Sequence, residues 1–65
     1  MKVKVNGIEM DVMADTIAKL LKELNINEKR VVVEVNLEIV KRDYFDRYKI
    51  KEGDSIEIVN FVGGG

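Results

Sequence analysis

The chain has 65 residues, room for one domain and no more. Hydrophobic residues make up 46% and charged residues 35%, the balance of a globular chain, and eleven basic against twelve acidic residues leave a net charge of −1, a poor footprint for nucleic acid. Cys and His are both absent, which removes disulfides, thiolate metal sites, a cysteine nucleophile and the commonest general base together.

Lys2-Val3-Lys4-Val5-Asn6 alternates polar and apolar residues, the period of a strand with one buried face. Asn6-Gly7 is a hairpin signal, because both central residues of a type I′ turn need positive φ. Ile8-Glu9-Met10-Asp11-Val12 resumes the alternation, so Met1 to Met13 reads as a β-hairpin burying Val3, Val5, Ile8, Met10 and Val12. Asp15 or Thr16 then caps a helix whose Ile17, Leu20, Leu21 and Leu24 form one apolar stripe at i, i+3, i+4 and i+7. Lys19, Lys22 and Glu23 take its solvated side, and Asn25 suits a left-handed residue just past its end.

Val31 to Val35 is a β-branched third strand with Val33 and Val35 inward, and Glu38-Ile39-Val40 follows as a short strand after an Asn36-Leu37 turn. Arg42 to Tyr48 reads as a single helical turn that packs Tyr44, Phe45 or Tyr48 against the sheet edge. Lys51-Glu52-Gly53-Asp54 is turn chemistry, with Gly53 at positive φ. Ser55 to Val62 is the last strand, with Ile56 and Ile58 inward. The order β-β-α-β-β-turn-β predicts an α+β protein of the β-grasp (ubiquitin-like) class, a mixed sheet with one main helix across one face. The domain covers residues 1–62, and 63–65 form a flexible Gly-Gly-Gly tail.

So small a core leaves no interior for a deep substrate pocket, so an enzyme complete in itself is not expected. The apolar runs are far too short for a membrane span, and the Lys/Val alternation at the start is unlike a signal peptide, which points to the cytoplasm. Asp11, Asp15, Asp43, Asp46 and Asp54 show no metal-ligand spacing. Lys29-Arg30, Lys41-Arg42 and Asp43 with Asp46 read as solvated surface. Without a basic stripe, Tyr44, Phe45 and Tyr48 read as packing rather than base stacking.

The first candidate site is therefore Gly63-Gly64-Gly65. Glycine is costly to order and packs nothing, but a tail without side chains can thread a narrow tunnel and set a terminal carboxylate beside a reactive phosphate. Such a carboxylate can attack an activated phosphoryl group to give an acyl-adenylate. A frayed end or an expression scar is the plain alternative. The second candidate is the outer side of the last strand, where Val59 and Phe61, with Val62 beside them, would form an exposed apolar patch next to the tail. A covering loop or a shifted register would remove it.

From end to end the chain resembles the ThiS family, the sulfur carriers of thiamine biosynthesis. The matching segments are the Asn6-Gly7 hairpin, Thr16-Ile17 with Leu20-Leu21 and Leu24, Val33-Glu34-Val35-Asn36 with Glu38-Ile39-Val40, Arg42, Gly53-Asp54, and the close from Ile58 to Gly65. The Gly-Asp turn about ten residues before an apolar strand ending in Gly-Gly is the most specific of these. Leu37 departs from the Gly common after Asn36, and Lys41 from the Pro frequent before Arg42.

The resemblance implies that the chain is a co-substrate and not a catalyst, and that it binds no cofactor or metal of its own. A ThiF-type adenylyltransferase, using ATP and Mg²⁺, would adenylate Gly65. A cysteine desulfurase or other persulfide donor would convert it to a thiocarboxylate, and thiazole synthase would accept the sulfur. Two rival readings share the fold: the small subunit of molybdopterin synthase, and a β-grasp binding module with an inert tail.

Overall fold

The computed structural model describes residues 1–61; Val62, Gly63, Gly64 and Gly65, and with them the expected domain boundary at 62, lie outside the described residues. Strands β1 (Lys2–Val5) and β2 (Ile8–Asp11) form the first hairpin, followed by helix α1 (Ile17–Glu23). Strands β3 (Val31–Val35) and β4 (Glu38–Val40) form the second hairpin, and β5 (Ser55–Asn60) closes the order. Short 3₁₀ turns at Glu28–Arg30 and Arg42–Tyr44 flank the second hairpin, the first of them not expected from the sequence.

The five strands lie in the order β2-β1-β5-β3-β4, with β1 and β5 parallel and every other pair antiparallel. This is the expected mixed β-grasp sheet. One face carries α1 and the core: Val3, Val5, Val31, Val33, Val35, Ile56 and Ile58 from the sheet, Ile17, Leu20 and Leu21 from the helix, and Phe45 and Ile50 from the long connection.

Both hairpins turn on two residues with positive φ. At the first these are Asn6 (50°) and Gly7 (83°), as its sequence dictates. At the second they are Asn36 (51°) and Leu37 (73°). A leucine there pays the left-handed steric cost, and its side chain is 88% exposed, so no packing offsets it.

Thr16 is the helix cap: its hydroxyl accepts from the Lys19 N–H at 3.2 Å. At the other end, Asn25 is left-handed (φ 61°), with Ile26 N–H bonded to Leu21 O at 2.8 Å and Asn25 N–H to Lys22 O at 3.1 Å. That is a Schellman ending, and it turns Ile26 back onto the core. Glu23 is exposed yet engaged, accepting from the N–H groups of Met13 and Ala14 and so tying the helix end to the strand-helix link.

The 41–50 segment explains itself through α1. Its Phe45 and Tyr48 carbonyls accept from the Ala18 and Ile17 N–H groups at 2.8 and 3.2 Å, satisfying donors that a helix start leaves free. Of the three aromatic residues there, Phe45 enters the core, Tyr48 is half-buried and Tyr44 is 52% exposed with Arg47 stacked over its ring. Asp15 braces the same junction, its carboxylate 3.2 Å from Lys19 Nζ and 3.4 Å from Lys49 Nζ.

The expected burial in the first hairpin needs one correction. Val3, Val5 and Val12 are buried and Met10 is half-buried, but Ile8 is 64% exposed. Ile8 pairs with Val5, so it faces the core side; it lies at the turn end of β2, the sheet's outermost strand, where little packs over it. The alternation gives the face correctly but not the edge.

Two expected outcomes follow from this geometry. Leu37→Gly relieves a strained φ at an exposed site, so chemical denaturation should show stabilisation of about 0.5–1 kcal/mol after the entropy glycine adds to the unfolded chain. An unchanged or lower midpoint would contradict the strain. Asp15 is held below its ordinary value of 3.8, first by its hydrogen bond to Lys19 and then by the charges of Lys19 and Lys49. A depressed carboxylate stabilises the fold above its unfolded value and loses that contribution as pH falls through its folded value. Asp15→Asn should therefore cost stability at neutral pH and little in strong acid; an equal cost at both would refute the pairing.

Candidate functional site

β5 is the strand on which every expected site residue depends, because it runs through the middle of the sheet and leads directly to residues 62–65. Its pairing with β3 sets which side chains share a face. Val33 lies opposite Ile58 on the core side, Val32 opposite Val59 on the outer side, and the Phe61 N–H donates to Arg30 O at 2.9 Å, carrying the ladder one step past the strand. Ile56 and Ile58 are buried as expected.

On the outer face Val59 is 56% and Phe61 48% exposed, so neither a covering loop nor a shifted register removes them. Two further apolar residues share that face and were not singled out from the sequence: Val32, directly opposite Val59, and Ile39, opposite Glu34 on β4. Alternation within Val31 to Val35 could have flagged Val32. Ile39 needed the register of the second hairpin. Together Val32, Ile39, Val59 and Phe61 make an apolar surface around the end of β5.

An acidic pair borders it. Glu34 and Glu57 stand directly opposite each other on the same face, an arrangement that disfavours the sheet unless something else meets the charge. Among the described residues, no ion pair includes either one. The first half of the face, with Lys2 and Lys4 opposite Asp11 and Glu9, is instead mixed in charge.

Two asparagines hold β5 in register. The Asn6 main-chain N–H donates to Ile56 O at 2.8 Å; its side-chain Nδ2 donates to Ile58 O at 3.1 Å, and its Oδ1 accepts from Ile58 N–H at 2.7 Å. The amide thus continues the β1–β5 ladder after the backbone of β1 has turned away. Asn36 acts on the start of the strand. Its main-chain N–H donates to Ser55 O at 2.8 Å, its Oδ1 accepts from Ser55 N–H at 3.0 Å, and its Nδ2 donates to Asp54 at 3.0 Å. The same left-handed turn position that each asparagine fills aims its side chain at β5. Sequence marks the turns; the destination of the amides is tertiary.

Among the described residues, no three His, Cys, Asp or Glu side chains are placed to hold a metal ion, and no buried side-chain nitrogen or oxygen lacks a partner. No helix among them is long and apolar enough to cross a membrane. The remaining expected site residues, Val62, Gly63, Gly64 and Gly65, lie outside the described residues.

The family model described as the ThiS family matches residues 3–65. The chain belongs to the ThiS family. Its relatives include the sulfur carrier protein ThiS of Bacillus subtilis, 38% identical over 64 residues, 95% of this chain and 97% of that protein. A thiazole synthase of Paramagnetospirillum magneticum is 42% identical over 66 residues, which is the whole of this chain but only 20% of that protein's length. Among solved structures, the thiamine biosynthesis protein ThiS of Geobacter metallireducens superposes with a TM-score of 0.84 at 36% identity, covering both chains fully. The family fold and the β-grasp sheet derived above agree.

Proposed function

We propose that this ThiS-family chain is a sulfur carrier of thiamine biosynthesis, that Gly65 is the residue that carries the sulfur, and that the outer face of β5 docks the enzymes that act on it. The observation that carries this reading is the near end-to-end relation to the Bacillus subtilis sulfur carrier, within a family match that runs through Gly65.

The chemistry suits a glycine tail. In a ThiF-type adenylyltransferase, a Gly65 carboxylate oxygen would bond to the α-phosphorus of ATP as pyrophosphate leaves, with Mg²⁺ held by that enzyme. A persulfide, from a cysteine desulfurase or another donor, would then attack the acyl carbon and expel AMP. A thiol would cleave the resulting acyl disulfide, leaving the Gly65 thiocarboxylate and a protein disulfide. Gly63 and Gly64 would pass through a channel too narrow for side chains. The chain supplies no acid, base or metal to these steps; it is the substrate that is altered.

Thiazole synthase is the acceptor this reading favours. Two proteins of that name, from Paramagnetospirillum magneticum and Magnetococcus marinus, each contain a stretch similar to this whole chain, at 42% and 36% identity. A carrier-like segment joined to its acceptor in one polypeptide is what such a partnership would produce.

The docking surface would consist of Val32, Ile39, Val59 and Phe61, and Val62, next in sequence, is proposed as a further contact. The opposed Glu34 and Glu57 favour a partner that is basic at the edge of its apolar contact. A tail enzyme must grip the body near the tail, and this surface surrounds the strand that leads there.

Intact mass spectrometry tests the reaction. After incubation with ATP, the activating enzyme, a desulfurase and cysteine, the chain should gain the mass difference between sulfur and oxygen, located on the Gly65 peptide. No gain with partners shown to be active on another carrier would overturn the assignment. Phe61→Asp tests the surface: adenylation should fall at least about tenfold, the scale of a lost interface anchor, while stability stays within about 0.5 kcal/mol, as for other exposed positions. Unchanged adenylation would remove Phe61 from the docking face.

A further inference from the structure

The Asn6-Gly7 pair has a chemical liability that the turn and the ladder do not exhaust. An asparagine followed by glycine can close on itself: the Gly7 main-chain nitrogen attacks the Asn6 side-chain carbon, a C–N bond forms, and ammonia leaves. Water then opens the succinimide to an aspartyl or isoaspartyl residue, so the reaction needs no oxidant, reductant or enzyme. Glycine places no side chain in the path of the attacking nitrogen, and open space surrounds Gly7, with nothing within 4 Å of where a Cβ would stand.

The folded chain opposes this reaction at the same atoms it would use. Asn6 Oδ1 and Nδ2 are both bonded to the Ile58 main chain, at 2.7 and 3.1 Å. Its backbone is fixed at φ 50° by the two-residue turn, whose register is set by Val5 opposite Ile8. The amide carbon is free to turn toward the Gly7 nitrogen only once its two bonds to Ile58 break.

We infer that Asn6 is a spontaneous deamidation site gated by its bonds to Ile58, so that conversion takes molecules in which those bonds have opened, and converted ones cannot re-form both of them. Loss of ammonia makes the conversion irreversible, and the product changes the contact. An aspartyl carboxylate has no N–H for the Ile58 carbonyl and sets a negative charge against it. An isoaspartyl residue adds a main-chain carbon to a turn that closes with two residues. Either change weakens the β1–β5 seam beside Ile58 while β5 keeps its ladder with β3, which makes Asn6 a one-way record of opening at that seam. The inference rests on the hairpin and on β5, and it stands whether or not the chain carries sulfur.

The test follows the full-length chain in mildly alkaline buffer, native in one arm and unfolded in guanidinium in the other, with peptide mapping for aspartyl and isoaspartyl products. Asn25, Asn27, Asn36 and Asn60 serve as internal references. Asn6 should lead in the unfolded arm and slow by more than about tenfold in the native arm, as expected of chemistry that requires a local opening. Equal rates at Asn6 in the two arms would overturn the gating, and another asparagine leading in the unfolded arm would overturn the site. Asn6→Gly, which keeps the positive φ but removes the acceptor of the Ile58 N–H, should also speed hydrogen exchange at the Ile58 amide relative to Asn60→Gly on the same strand; equal protection would show that Ile58 does not depend on the Asn6 amide. The rate comparison needs no variant to fold.

Discussion

The parallel pairing of β1 with β5 is the contact on which the rest of the molecule depends. It joins the first strand of the chain to the last, Lys4 beside Ser55 and Val5 beside Ile56, and only through it do the two hairpins become one sheet. The pairing has a cost, because bringing such distant segments together spends closure entropy before any contact repays it. Only two residue pairs of β-ladder connect the strands directly. Asn6 lengthens that seam with a side chain where the backbone can no longer serve, and Asn36 fixes the start of β5 from the opposite side. With its neighbours on both sides, β5 can place Ile56 and Ile58 under the helix while turning Val59 and Phe61 outward.

This arrangement divides labour between the two faces. The core face is spent on stability: a seven-residue helix, one aromatic ring and a set of valines, leucines and isoleucines fill it. The outer face keeps apolar residues in view around the end of β5 and sets two glutamates against each other beside them. A fold selected for stability alone would gain by changing both features. Under the proposed function the same features would serve recognition, and the domain would act as the handle for its own tail.

Much of this was legible in the sequence because it is local. Asn-Gly announces its hairpin, the Ile17-Leu20-Leu21-Leu24 stripe announces the helix, and alternation from Ser55 assigns Ile56 and Ile58 to the core and Val59 and Phe61 to the surface. What could not be read depends on distant partners. Ile8 has the right parity for burial but sits on the edge strand. The segment from Arg42 to Tyr48 has no pattern of its own, since its conformation answers the free N–H groups of Ile17 and Ala18. Glu23 reads as a solvated charge and instead holds the Met13 and Ala14 N–H groups. The asparagine bonds to β5 fall in the same class: a residue chosen for positive φ has a side chain whose use only the assembled sheet reveals. Leu37 is the opposite case, a departure visible in sequence whose meaning, a left-handed leucine, needed the backbone.

On the proposed function, the tail reacts only because the folded face beside it is recognised. This dependence is tested most directly by comparing the full chain with the isolated peptide Asn60–Gly65 as substrates for ATP–pyrophosphate exchange by a ThiF-type activating enzyme. Both present the same glycine carboxylate, so any difference measures what the domain contributes through contacts remote from the reacting atoms. The full chain should support ready exchange, and the peptide none above background at equal concentration. Exchange with the peptide at the rate of the full chain would contradict this dependence, and would reduce the β-grasp domain to a passenger.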